Sequence, residues 1–184
     1  MNTVGEGLEE AVQRAFTRPV PKSAGAQMRY LVKQLKGTRA VAGLLGITQR
    51  TVERYVRNQI KNPRQDLSER LEREVRRRWQ PKIRARAKKD AATTGGIIID
   101  TRARFGYTAA PGTTDDARLR HLTVALPPVY AARLFEAQEQ GVTDRRLQEI
   151  AAEGLQEVYF KDAGRRAQGL LVEYTDLEHV EFDL

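Results

Sequence analysis

Residues 38–57 read T-R-A-V-A-G-L-L-G-I-T-Q-R-T-V-E-R-Y-V-R and leave the chain few ways to fold. Val41, Leu44 and Leu45 lie before Gly46, and Ile47, Val52, Tyr55 and Val56 lie after it, all at helical spacing. Gly46 suits a turn that needs positive φ, and Ala42 is small where two helices cross closely. Thr48 can cap a second helix by accepting a backbone N–H. The pattern predicts a helix-turn-helix. Its second helix presents Gln49, Arg50, Thr51, Glu53, Arg54 and Arg57, side chains able to reach base edges and phosphates. Arg39 and Thr48 stand beside them as further candidate DNA contacts.

The charge around this motif favours DNA over an ordinary helical hairpin. Residues 1–90 carry 22 Lys+Arg against 9 Asp+Glu, and residues 91–184 carry 10 against 15. A basic half followed by a mildly acidic half suggests a nucleic-acid module joined to a second function. Trp79 is the only tryptophan, so stacking platforms for single strands are scarce and duplex or hairpin DNA is expected.

Other chemistries are closed by composition. The chain has no cysteine, which excludes disulfides, zinc fingers and thiol catalysis. Its two histidines, His121 and His179, form no metal-binding spacing, so no intrinsic metal or cofactor is expected. No apolar run approaches the ~18 residues of a membrane span, and M-N-T-V-G-E-G-L-E-E is not a secretory leader. A cytoplasmic protein working near DNA, without membrane partners, is the expectation.

The predicted architecture is α+β. Residues 1–65 are expected to form the helical DNA-binding domain, opened by a helix with Leu8, Val12 and Phe16 and by a second from Ser23 holding Met28, Leu31, Val32 and Leu35. Lys61 and Arg64 follow the recognition helix as candidate phosphate contacts. Residues 66–90 read as a basic helical arm. Asp66 and Glu69 resemble a capping box, Leu67, Leu71, Val75 and Trp79 form one face, and Pro81 forces a kink or fresh start. Arg76, Arg77, Lys82, Arg84, Arg86, Lys88 and Lys89 would track phosphates. The small residues of 90–96 read as a linker.

Residues 91–184 are expected to form a mixed domain. G-I-I-I-D-T-R-A-R-F-G-Y-T reads as a strand and P-G-T-T-D-D as an exposed turn. R-H-L-T-V-A-L-P alternates as a second strand, and two helices follow, one begun by Pro127–Pro128 and one capped by Thr143 or Asp144. Over residues 120–160 this order resembles the ribbon-helix-helix family, which implies a homodimer built by strand pairing between chains. The closing L-L-V-E-Y-T-D-L-E-H-V-E-F-D-L is another acidic strand, without one clean apolar face.

Together with the helix-turn-helix, the segments R-R-R-W-Q-P-K-I-R-A-R-A and G-I-I-I-D-T-R-A-R-F-G-Y-T and the acidic last strand resemble the telomeric terminal proteins (Tpg type) of linear Streptomyces chromosomes and plasmids, over essentially the full length. The resemblance implies a protein that becomes linked to DNA 5′ ends and primes end-patching synthesis. A threonine hydroxyl would attack the α-phosphate of dCTP, with Mg²⁺ and most of the catalysis supplied by a DNA polymerase. The chain is then a primer and not itself an enzyme. The implied partners are telomeric DNA, a telomere-associated protein (Tap type) and the polymerase.

The family's priming threonine maps onto Thr114. Thr113 is the second candidate and the Tyr107 phenol the third, with Asp115 and Asp116 placed to orient a hydroxyl or accept its proton. A helix-turn-helix transcriptional regulator with a C-terminal dimerisation domain is the alternative. A nuclease or recombinase using Asp100, Asp115, Asp116 and Tyr107 is a third reading.

Overall fold

The computed structural model describes residues 3–108, 118–161 and 171–184. Among them the chain is α+β, with eight α-helices and a three-stranded antiparallel sheet. It divides into two compact units, one of residues 16–81 and one of residues 1–15 with 82–184.

The first unit is helical. Helix α2 (Ala24–Leu35) starts at Ser23, whose Oγ accepts the Ala26 N–H at 3.4 Å, and ends at Lys36 in the left-handed region. Helices α3 (Thr38–Leu45) and α4 (Gln49–Val56) follow, and α5 (Gln65–Arg78) packs against α2 and α3. Met28, Leu31, Val41, Leu45, Val52, Tyr55, Leu67, Leu71 and Val75 form one buried cluster. Trp79 closes it from the side: its ring lies 4.7 Å from Tyr30, and its Nε1 donates to the Arg18 carbonyl at 3.0 Å. The expected capping box at Asp66 and Glu69 does not form. Helix α5 begins one residue before Asp66, with no side-chain cap. Asp66 pairs instead with Arg70 at 3.1 Å, and Glu69 accepts from Gln65 at 3.0 Å. The chain then makes a fresh start at Pro81 with α6 (Pro81–Asp90).

The second unit is built on strands β1 (Ile97–Thr108), β2 (Arg118–Leu126) and β3 (Leu171–Asp183), in the order β2-β1-β3. Alternation along β1 sends Ile97, Ile99, Thr101, Ala103 and Phe105 into the core. Leu122, Val124 and Leu126 of β2 join them, with Val172, Val180 and Phe182 of β3. Helices α7 (Pro128–Glu139) and α8 (Asp144–Leu155) supply Ala131, Leu134, Phe135, Leu147, Ile150 and Leu155 to the same cluster.

Strand β3 explains its own irregular pattern. Its pairing with β1 skips Thr175 and Glu178 at two bulges. Each bulge shifts the alternation by one residue. Val172 and Tyr174, then Leu177, then Val180 and Phe182 can therefore all face the core.

Three expectations are corrected here. Helix α1 (Val4–Arg14) belongs to the sheet unit and not to the helical one: Val4, Leu8, Ala11 and Val12 are buried in its core. Gly7 admits the approach, since a Cβ there would lie 3.1 Å from the Phe182 ring. Gln138 Nε2 donates to the Gly5 carbonyl at 2.9 Å, and Arg14 donates to the Phe182 carbonyl at 2.9 Å. A capping box between Thr3 and Glu6 starts the helix.

Residues 90–96 are not a linker. Helix α6 runs on into a wider turn at Ala91–Gly95, Ala91 is buried, and the Thr93 and Thr94 hydroxyls donate back to the carbonyls of Lys89 and Asp90. Gly96 has φ of +73°, and a Cβ on it would meet the Leu126 carbonyl oxygen at 2.3 Å. Small residues serve close packing here.

The cap of α8 also differs. Thr143 stands at the N-cap but its side chain makes no capping hydrogen bond. Asp144 instead accepts the Gly5 N–H at 3.0 Å and Gln148 Nε2 at 3.0 Å, tying α8 to α1.

Candidate nucleic-acid interface

Helix α4 is placed by its two ends. At its start, Gly46 at φ of +65° reverses the chain after α3, and Thr48 Oγ1 accepts the Thr51 N–H at 3.2 Å. Thr51 Oγ1 lies 2.8 Å from Thr48 Oγ1. At its end, Arg29 of α2 donates to the Val56 carbonyl at 3.0 Å and to Asn58 Oδ1 at 3.1 Å. Gly25 makes room for Asn58, whose Oδ1 would lie 2.3 Å from a Cβ at that position. Val52 and Tyr55 anchor the inner face.

The outer face forms an open groove of about 820 Å³ lined by Gln49, Arg50, Glu53, Arg54, Arg57 and Gln59. Arg50, Arg54 and Arg57 are exposed, and none has an ion-pair partner among the described residues. Gln49 Nε2 bridges two helices, donating to Thr38 Oγ1 at 3.0 Å and to Glu53 Oε1 at 3.1 Å. Arg39 is exposed on α3, and Lys61 and Arg64 are exposed between α4 and α5. Residues 16–81 hold 16 Lys+Arg against 5 Asp+Glu, so the helical unit is the basic one.

The candidate arm is divided. On α5, Arg76 pairs with Glu72 at 2.6 Å, Arg78 pairs with Glu74, and Arg77 is exposed without an ion partner among the described residues. Helix α6 lies in the sheet unit. Its Arg84 is only 13% exposed and grips Glu9 of α1 with both fork nitrogens, at 2.7 and 2.6 Å. Lys88 reaches Glu139 of α7 at 2.9 Å and lies over the Phe135 ring at 5.3 Å. Arg86 lies 3.5 Å from Asp90, and Lys82 and Lys89 are exposed. Arg84 and Lys88 thus bind the sheet unit together, which leaves Lys82 and Lys89 as the uncommitted cations of α6 among the described residues.

The remaining candidates fall elsewhere. Thr113, Thr114, Asp115 and Asp116 lie outside the described residues. Tyr107 is in β1, opposite Val172 of β3. Asp100 sits on the open face of the sheet, 33% exposed, and accepts the Thr123 hydroxyl at 2.5 Å. His121 Nε2 lies 3.0 Å and His179 Nε2 3.7 Å from its other oxygen. Among the described residues no group of three His, Asp or Glu is arranged to hold a metal ion.

The Thr123 hydrogen bond first, then the one to His121, hold the Asp100 carboxyl below the usual carboxylate range, against the opposing effect of burial. A lowered folded value means that the stabilisation is present above the ordinary carboxylate pKa and is lost as pH falls through the folded value. Asp100→Asn should therefore lower Tm at neutral pH. The difference from the parent chain should shrink below about pH 4, in thermal melts run from pH 7 to pH 3.

Sequence reading missed Thr38, Arg29 and Asn58 as the residues that fix α4. Their contacts reach across helices, 11 to 29 positions along the chain, where no local pattern extends. No family model, curated protein or solved structure matches the chain. No helix among the described residues is long and apolar enough to cross a membrane.

Proposed function

We propose that this chain is a DNA-binding terminal protein of linear replicons, holding a duplex end with α4 while a threonine outside the described residues primes synthesis. The reading of α3 and α4 as a helix-turn-helix is supported above all by the open face of α4. Three arginines there have no ion-pair partner among the described residues, on a unit rich in positive charge. On α5, by contrast, Arg70, Arg76 and Arg78 are spent in ion pairs with Asp66, Glu72 and Glu74. Charges left open on one helix face suit a polyanion.

The priming role rests on the sequence resemblance to Tpg-type proteins. Thr114 Oγ would attack the α-phosphate of dCTP. One O–P bond forms, the bond to the β-phosphate breaks, pyrophosphate leaves, and the hydroxyl proton passes to a carboxylate such as Asp115 or Asp116 or to a base of the polymerase. The acidic second half would dock the polymerase and a Tap-type protein. In the ribbon-helix-helix reading a second copy would pair along β2, whose outer edge has no strand neighbour among the described residues.

A transcriptional regulator would use the same face of α4, and the two differ at DNA ends. Chromosome ends from cells carrying this chain should fail to enter a gel until treated with protease. They should then retain a peptide containing Thr114, identified by mass spectrometry. Ends that migrate alike with and without protease would favour the regulator.

A further inference from the structure

Between residues 16 and 65 the chain carries 11 Lys and Arg and a single carboxylate, Glu53, and that carboxylate lies in the groove on α4. A negative charge facing a polyanion weakens binding unless its oxygens meet a donor. Arg50, Arg54 and Arg57 share the groove, yet Glu53 forms an ion pair with none of them among the described residues. It is held by Gln49 Nε2 at 3.1 Å, and Gln49 is held in turn by Thr38 Oγ1 at 3.0 Å. The Gln49 amide thus spends its donors inside the protein. Glu53 and the Gln49 carbonyl are left to present acceptor oxygens to the groove, from a half-buried and tethered position.

We infer that Glu53 is a specificity-determining residue that selects a cytosine at one position of the bound duplex, by accepting a hydrogen bond from the cytosine N4 amino group. This rests on the reading of α4 as the DNA-binding helix. The major-groove edge of cytosine offers a donor with no adjacent acceptor, whereas adenine places N7 beside its N6 amino group and repels a carboxylate. Guanine and thymine turn acceptors toward Glu53. The free arginines supply affinity, and Glu53 withholds it from the wrong sequences.

The test is selection of duplexes from a randomised pool by the full chain, by Glu53→Ala and by Glu53→Gln, followed by titration of the best duplex and of single-pair variants. The parent chain should prefer a C·G pair at one position by about tenfold or more. Glu53→Ala should lose that preference and bind non-cognate duplexes several-fold more tightly. Glu53→Gln, which keeps the size of the side chain, should move the preference toward adenine. An unchanged preference in both variants, or an equal weakening on every sequence, overturns the inference and leaves duplex binding standing. A parent chain that binds no duplex overturns the DNA-binding reading and this inference with it.

Discussion

Thr114→Ala should accept no labelled nucleotide when incubated with dCTP, Mg²⁺, the cognate polymerase and the Tap-type partner, while its affinity for duplex stays that of the parent chain. In the proposed reaction this hydroxyl is the nucleophile, so the expected loss is complete and not graded. Thr113→Ala should keep most of the labelling, because the neighbouring hydroxyl remains. Asp115→Asn and Asp116→Asn report on proton acceptance: a rate lowered in only one of them identifies the base. Labelling that persists in Thr114→Ala but is lost in Tyr107→Phe would move the linkage to the phenol and end the assignment to Thr114.

The second large effect belongs to α4. Arg50→Ala with Arg54→Ala should weaken binding to the cognate duplex by about 100-fold, each arginine contributing about tenfold, or about 1.4 kcal/mol. Both side chains are exposed and make no ion pair within the described residues, so the double variant should melt at the temperature of the parent chain. The matching change on α6, Lys88→Ala with Arg84→Ala, should behave the other way. It removes the partners of Glu139 and of Glu9, which is 30% exposed, and so lowers stability before it touches DNA affinity. If both pairs lower affinity alike with no change in stability, the division between the two helices is wrong.

Local chemistry was readable along the chain. The turn at Gly46 and Thr48 follows from one residue that tolerates positive φ and one that caps, both within a few positions of the helices they join. Strand β1 follows from Ile97–Ile99 and the alternation after it. What could not be read is what each face packs against. The stripe of Leu8 and Val12 says that α1 is buried, and it fits a helical partner as well as the sheet it meets. Residues 90–96 are small, which suits a flexible joint and close packing equally, and Gly96 against Leu126 decides for packing. Bulges at Thr175 and Glu178 hide the apolar face of β3 from a period-two reading. In the candidate interface, the residue types on α4 were legible, but the tether from Thr38 through Gln49 to Glu53 was not. The loss of Arg84 to Glu9, 75 positions away, was equally invisible.

The affinity of the full chain for a duplex telomere end, measured across salt concentrations, tests the use of α4 most directly. Several arginines meeting phosphates should make log K fall linearly with log salt, at about −0.9 per phosphate neutralised, and the Arg50→Ala, Arg54→Ala variant should show a slope shallower by about two such contacts. A parent chain whose affinity is flat with salt, or whose slope is the same in the variant, would contradict the claim that this face of α4 holds the DNA.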